Sequence, residues 1–292
     1  MKSGFLYIDK PENISTFDVI RRLRKITGIK KMGHAGTLDP FATGLVLIAI
    51  DNATRMLKFF DNATKSYLAG MHFGIKTDTG DLTGLTIQTD DNIPQFNLKT
   101  LEKHVKLINK QIPPKYSAKK INGKKAYELA RQNKDFELKE KDITIHSFRV
   151  LTLKYPELYY DCTVSSGTYI RTLSEQIAEM YDSVAYTKSL RRTAIANISI
   201  TQAVKLDHLN DENWQEYLLS YDKAFPNFQQ FTIADKDIRI YKNGVRLEIS
   251  RFKNIKKTDK EESLIFNNQG KCLGLSIIKD NILIPTVIFN DK

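Results

Sequence analysis

Hydrophobic positions first mark a short strand, Phe5-Leu6-Tyr7-Ile8, ended by Asp9-Lys10-Pro11 because proline cannot donate to a ladder. Ser15 then starts a helix with Asp18 three residues on as a short capping-box acid. Its apolar stripe, Val19, Ile20, Leu23 and Ile26, stops at Gly28. Leu45 to Ile50 is continuously apolar and short, the pattern of a buried strand, and Ala53 to Phe60 can form a helix. Tyr67, Ala69, Met71 and Phe73 alternate with Leu68, Gly70 and His72, which predicts a strand that begins on an aromatic. The polar run Thr77 to Gly84 reads as a loop and Leu98 to Lys110 as a weak helix. Pro113-Pro114 makes a rigid loop before a short helix over Lys124 to Arg131.

Phe148 to Leu153 and Tyr159 to Val164 alternate as paired strands across a Pro156-Glu157 turn. Thr168 is placed to cap the next helix, whose Ile170, Leu173, Ile177 and Met180 recur at spacings of three and four. Leu206 to Phe228 has the texture of helix and linker, with Asn210 to Asn213 as a cap before Trp214. Beyond Phe228 come short strand-like pieces broken at Asn243-Gly244, Asn267-Asn268 and Asp280-Asn281. The change in texture divides the chain into a large domain over 1–228 and a small β-rich unit over 229–292.

A chain of 292 residues, 41% hydrophobic, buries a full globular core. Its formal charge of +11, from 45 Lys and Arg against 34 Asp and Glu, favours a polyanionic partner bound in a salt-dependent way. Part of that charge is concentrated in Arg21, Arg22, Arg24, Lys25, Lys30 and Lys31, either a solvated face or a contact for RNA phosphates. The apolar run at Phe5 to Ile8 is too short for a signal-peptide core, and no stretch reaches the roughly 18 apolar residues of a spanning helix. A cytoplasmic protein without membrane contact is expected. Cys162 and Cys272 lie far apart, and the five histidines lack ligand spacing, so neither a disulfide framework nor a metal site is expected. The glycine-rich cradles for dinucleotides and nucleoside triphosphates are also missing.

Candidate chemistry is densest in Gly33-His34-Ala35-Gly36-Thr37-Leu38-Asp39-Pro40. Two glycines and an Asp-Pro pair describe a loop of special geometry that holds a carboxylate, although Asp-Pro is also a common turn pair. Arg171 falls in the first turn of its helix and off the apolar stripe, where the helix dipole disfavours a cation. Such an arginine invites an acidic partner, with Asp39 and a surface acid both open.

The loop octet, read with Lys10-Pro11, Lys65-Ser66-Tyr67, the Thr77-Asp78-Thr79-Gly80-Asp81 loop, the Gln111 to Lys120 block, Gly167-Thr168-Tyr169-Ile170-Arg171 and Leu190-Arg191-Arg192-Thr193, closely resembles the TruB family, the bacterial tRNA pseudouridine-55 synthases. The chain departs from the family pattern at Leu107 and Ile108, where a glycine and an acid are usual, and at Asp51, where glycine is usual. The resemblance implies an α+β pseudouridine-synthase domain with a large mixed, mainly antiparallel sheet flanked by helices, followed by a PUA-like RNA-binding module. It implies isomerisation of uridine 55 in the TΨC arm of tRNA, without a cofactor and by a monomer. The alternatives are a paralogue acting on another structured-RNA uridine and a non-catalytic tRNA-binding or folding protein.

Residue by residue, the resemblance makes Asp39 the essential catalytic carboxylate, Arg171 its partner, and Tyr67 a neighbour of the target base and candidate for moving the C5 proton. Tyr169 and Leu190 would line the base pocket. Lys10 and Pro11 would brace the catalytic loop, and His34 would fill the space left by the extracted base. Lys30 and Lys31 are the candidate phosphate contacts outside the motifs.

Overall fold

The computed structural model describes residues 3–289 except positions 93, 118, 122, 133, 135 and 257–260. Ala118 of the double-proline block, and the side chains of Lys120, Tyr127 and Arg131, lie outside the described residues. β1 (Gly4–Lys10) leads to α1 (Thr16–Thr27), where the expected capping box forms: Asp18 N donates to Ser15 Oγ at 3.1 Å and Ser15 N to Asp18 Oδ2 at 3.0 Å. Gly28 closes the helix at φ 71°. β2 (Met32–His34) precedes the catalytic-loop candidate, and β3 (Thr43–Ile50) follows it with Leu45 to Ile50 wholly buried. The helix expected from Ala53 is a 3-10 segment, Asp51–Phe60. Asp51 takes φ 53°, a left-handed conformation that aspartate tolerates better than most residues, which accounts for its replacing a glycine there.

β4 (Lys65–Phe73) is followed by β5 (Ile75–Thr77) and β6 (Thr86–Thr89), a hairpin around the expected polar loop. α2 (Leu98–Val105) is shorter than the sequence suggests, and the chain beyond it enters β7 (Lys110–Gln111). After β8 (Lys120–Ile121), β9 (Lys124–Lys125) and α3 (Ala126–Arg131), β10 (Lys141–Asp142) pairs with β7, and that ladder ends the helical run before Lys110. β11 (Ile145–Lys154) and β12 (Glu157–Val164) pair as expected.

α4 (Ile170–Glu179) is capped at Tyr169 and not at Thr168, whose hydroxyl donates to Ser165 O at 2.9 Å. Ile170, Leu173 and Ile177 are buried, but Met180 is exposed because the helix has already ended. β13 (Ala185–Ile195), β14 (Ile198–Ser199) and β15 (Val204–Lys205) complete the main sheet. Between Leu206 and Tyr217 there are only 3-10 turns, and a short α5 (Tyr221–Ala224) follows.

The strand order is β11-β12-β4-β13-β3-β1-β15, with β2 beside β3 and β14 beside β13. Among the described residues only the β13 to β3 and β1 to β15 pairings are parallel, so the sheet is mixed and mainly antiparallel. Leu6, Ile8, Val46 and Ile48 face the core under α1, α2 and α4. Phe5, Tyr7, Leu45 and Leu47 face a second core with the 3-10 segment, Phe225, Leu264 and Leu275. Strands β1 and β3 are therefore apolar on both faces because both are covered.

The C-terminal part comprises β16 (Gln229–Thr232), α6 (Asp235–Lys242), β17 (Leu247–Glu248), β18 (Lys253–Lys256), β19 (Glu262–Phe266), β20 (Cys272–Lys279) and β21 (Ile282–Ile288). It forms a sheet in the order β17-β21-β20-β19-β16-β18. The Asp280-Asn281 break is a two-residue hairpin with both φ values positive. Asn243-Gly244 instead terminates α6, a helix where the sequence suggested only strands; Tyr241 anchors it in the core. Among the described residues no helix is long and apolar enough to cross a membrane.

Candidate active site

The loop carrying Asp39 leaves β2 and returns into β3, and its shape is fixed by backbone contacts. Gly33 and His34 pair with Ala49 and Ile48, and Gly36 stands at φ 84°, where a Cβ would meet Lys65 Cε at 3.2 Å. Leu38 N donates to Thr16 Oγ1 at 2.9 Å, which ties the loop to the start of α1. Lys10 is wholly buried and gives its protons to the carbonyls of Pro11, Ile14 and Pro40 at 2.8, 2.8 and 3.1 Å. Burial draws its pKa down to about 8, with Asp39 opposing the shift. Arg192, also wholly buried, donates to the carbonyls of Leu45, Thr37 and Gly36 at 2.7, 3.4 and 3.2 Å. A loop whose backbone is held by so many fixed partners positions the carboxylate it carries before any ligand arrives.

Arg171 does meet Asp39. Its Nη2 donates to Asp39 Oδ1 at 3.2 Å and its Nε lies 3.0 Å from Oδ2, an ion pair with two points of contact of which the first is a hydrogen bond. The same guanidinium donates to Thr79 O at 2.7 Å and Tyr116 O at 2.8 Å, and lies 3.4 Å from Asp81 Oδ2. Side-chain exposure is 5% for Arg171 and 6% for Asp81, against 32% for Asp39. One cation thus bridges two acids, of which Asp39 is the more exposed. Burial raises the Asp39 pKa above the ordinary carboxylate range; Arg171 pulls it down, and the charge of Asp81 pushes it up again.

Asp81 is a site residue that the sequence reading passed over inside its polar loop. Its Oδ1 accepts from Thr79 Oγ1, Thr83 N and Thr83 Oγ1 at 2.9, 2.9 and 2.6 Å. The signal was an acid among threonines, which can satisfy its lone pairs in a loop folded on itself. Gln111 is a second such residue. It holds Tyr169 by both backbone groups, accepting from Tyr169 N at 2.9 Å and donating to Tyr169 O at 3.3 Å.

Asp39 stands where two cavities meet. One, of about 570 Å³, is walled by Tyr67, Tyr169, Leu190, Ile170 and the loop residues Gly36 to Asp39. The other, of about 620 Å³, has His34, Phe17, Thr83 and Tyr116 in its walls. His34 and Tyr67 therefore line different cavities, with Asp39 between them. Tyr67 pairs across the sheet with Arg192; burial raises its pKa, and the charge and hydrogen bond of Arg192 oppose the rise. Lys10 and Pro11 belong to neither wall; Lys10 lies beneath the loop with one donor on Pro40 O. Lys30 and Lys31 are exposed ahead of β2 and also lie outside both walls, with Lys31 Nζ 3.7 Å from Asp51. No group of three or more His, Cys, Asp or Glu that could hold a metal occurs among the described residues.

The site offers an anchored carboxylate with a cation at its back, a buried phenol and an apolar slot fit for a flat base. In fold, the chain is similar to the solved archaeal box H/ACA sRNP Nop10-Cbf5 complex, with a TM-score of 0.68 at 19% identity over 98% of this chain and 86% of that one. In sequence, the model for TruB family pseudouridylate synthase (N terminal domain) matches residues 24–170. A tRNA pseudouridine synthase B from Clostridium tetani is 36% identical over 280 residues, 94% of this chain and 94% of that protein. The protein of the same description from Aquifex aeolicus is 36% identical over 288 residues, 97% of this chain and 98% of that one. Fold and relatives together define a pseudouridine synthase, an isomerase that acts on RNA. The chain belongs to the TruB family of pseudouridylate synthases.

Proposed function

We propose that the protein converts uridine 55 in the T-arm of tRNA to pseudouridine. The observation that carries the reading is the Asp39 carboxylate, gripped at two points by Arg171 at the mouth of an apolar slot formed by Tyr67, Tyr169 and Leu190. The reaction breaks the bond from ribose C1′ to uracil N1, turns the base, and joins C1′ to C5. The proton lost from C5 is balanced by one gained at N1, so no redox partner or group donor is needed.

A stacked uracil must first leave the T-loop, and His34, which lines the neighbouring cavity, takes up the space it vacates. Asp39, kept ionised by Arg171 against the effect of burial, attacks C1′ or takes the C2′ proton as the glycosidic bond breaks. Leu190 and the tyrosine rings hold the freed base near C1′. Tyr67, through its own hydroxyl or a bound water, moves the C5 proton, and Arg192 stabilises the phenolate form that this demands. The unit over 229–292 is proposed as a PUA-like RNA-binding module, and the enzyme as a cytoplasmic monomer. The tRNA assignment is supported by the names of the two relatives and by the net positive charge.

The test is incubation of purified protein with a defined mixture of unmodified tRNAs, without cofactor and in EDTA, followed by mapping of pseudouridine. Product at position 55 is expected. Product at another uridine only would overturn the position, and folded protein that binds tRNA without forming product would overturn the enzyme.

A further inference from the structure

One wall of the Tyr67 cavity has no part in the isomerisation derived above. Lys65, Lys119 and Lys141 stand there with Ser166 and Gly167. Lys65 is only 8% exposed, unusual for a lysine, and gives protons to Ala63 O at 3.0 Å and Ser166 Oγ at 3.4 Å. Lys141 Nζ reaches the carbonyl of the same Ser166 at 3.1 Å. Gly167 makes room for it: at φ 78°, a Cβ there would lie 2.1 Å from Lys141 Nζ.

Two ammonium groups thus converge on one residue beside the buried guanidinium of Arg192, whose Nη1 would lie 3.7 Å from a Cβ on Gly36, while Lys65 Cε would lie 3.2 Å from it. Among the described residues no carboxylate forms an ion pair with Lys65, Lys141 or Arg192. Their contacts are with carbonyls, the Ser166 hydroxyl and the Tyr67 phenol. Gathering like charges this way costs stability unless an anion joins them.

We propose that this wall is a phosphate subsite, in which Lys65 and Lys141, seated on Ser166, hold a backbone phosphodiester of the nucleotide whose base enters beside Tyr67. The inference rests on the function proposed above and names how the substrate is gripped. Base slot and cation wall share one cavity, so the site takes a nucleotide and not a bare base. The phosphodiester belongs to either the 5′ or the 3′ side of the target uridine. Burial, then the charges of Arg192 and Lys141, draw the Lys65 pKa down to about 8, and Asp61 opposes them. A bound phosphate favours the protonated amine, so binding takes up a proton at alkaline pH and weakens as pH rises through about 8.

The experiment uses a T-arm stem-loop with a single uncharged methylphosphonate linkage placed 5′ or 3′ of the target uridine. Conversion (kcat/KM) and dissociation constants are measured for wild type, Lys65→Gln and Lys141→Gln. Conversion of the unmodified stem-loop tests the function alone, and the dissociation constants test the subsite even if nothing is converted. One neutral linkage should weaken binding or kcat/KM roughly ten- to a hundredfold, the range of a lost charge-assisted hydrogen bond. Either lysine variant should do the same on native RNA, and variant and linkage together should cost much less than the product of the two. Native behaviour of wild type on both altered RNAs would overturn the subsite, as would fully multiplicative effects. The change on the RNA side requires no variant to fold, and Lys141 is an exposed position where glutamine is readily accommodated.

Discussion

Replacing Arg171 with methionine removes a cation shared by three segments: the Asp39 loop, the Thr79 to Asp81 loop and Tyr116. Methionine keeps bulk but leaves two acids facing one another without the cation they share and two carbonyls without their donor. Breaking a buried pair costs about 3–5 kcal/mol, which in a chain of this size lowers Tm by on the order of 10 °C. One acid then takes up a proton. Asp39 is the acid that takes it up, because burial has already raised its pKa and the cation that opposed the rise is gone.

The sign follows directly. Arg171 lowers the Asp39 pKa, its loss raises that pKa further, and at neutral pH less of the reactive anion remains. Single-turnover rates should fall by roughly 10²–10⁴ near pH 7, and part of the loss should return as pH increases, with log rate rising about one unit per pH unit below the new pKa. Lysine at 171 should fall between wild type and methionine, because a point charge restores part of the attraction without the two-point grip. The assay is single turnover at saturating enzyme from about pH 6 to 9, with tRNA affinity measured separately. A wild-type rate for the methionine variant would remove the ion pair from the mechanism. A loss equal at every pH would refute the protonation argument and leave displacement of Asp39 as the whole effect.

Asp39→Asn should bind tRNA with near-normal affinity and show no detectable turnover, and appreciable turnover in a sensitive single-turnover assay would falsify the carboxylate's role. Asp81→Asn removes the like charge that raises the Asp39 pKa, so the acid limb of the pH-rate profile should move to lower pH, while looser support of Arg171 lowers the maximum rate by roughly tenfold; a limb moving upward would contradict the assignment. Lys30→Gln with Lys31→Gln should weaken binding to all tRNAs alike and flatten the slope of log affinity against log salt by about one per lysine, with chemistry at saturation unchanged. Unaltered salt dependence would show those exposed lysines to be a solvated face.

Much of the scaffold was legible because its signals are local. The Ser15 and Asp18 capping box, the left-handed stop at Gly28, the unbroken burial of Leu45 to Ile50 and the alternation along β4 all depend on residues a few positions apart. The Asp39 loop announced itself by its glycines and its Asp-Pro pair, and Arg171 by an unfavourable place on its helix. The fit to a known motif pattern then joined the two. Where local signals compete the sequence misled: Thr168 bonds within its own turn and leaves the cap to Tyr169, and Met180 falls beyond the helix that its spacing suggested.

What only the tertiary structure decided is how the carboxylate is held and charged. Asp39 and Arg171 are 132 positions apart, Arg192 and Gly36 156, and neither Asp81 nor Gln111 carried any periodic mark of its role. The sheet buries Lys10 and Arg192 completely and turns their donors onto loop carbonyls, a depth that neither residue's local pattern reported. Periodicity and capping report whether a residue faces the core. Which distant group it meets there, and hence whether a charge is neutralised, raised in pKa or left waiting for an anion, is set by the register of strands that only the folded chain brings side by side.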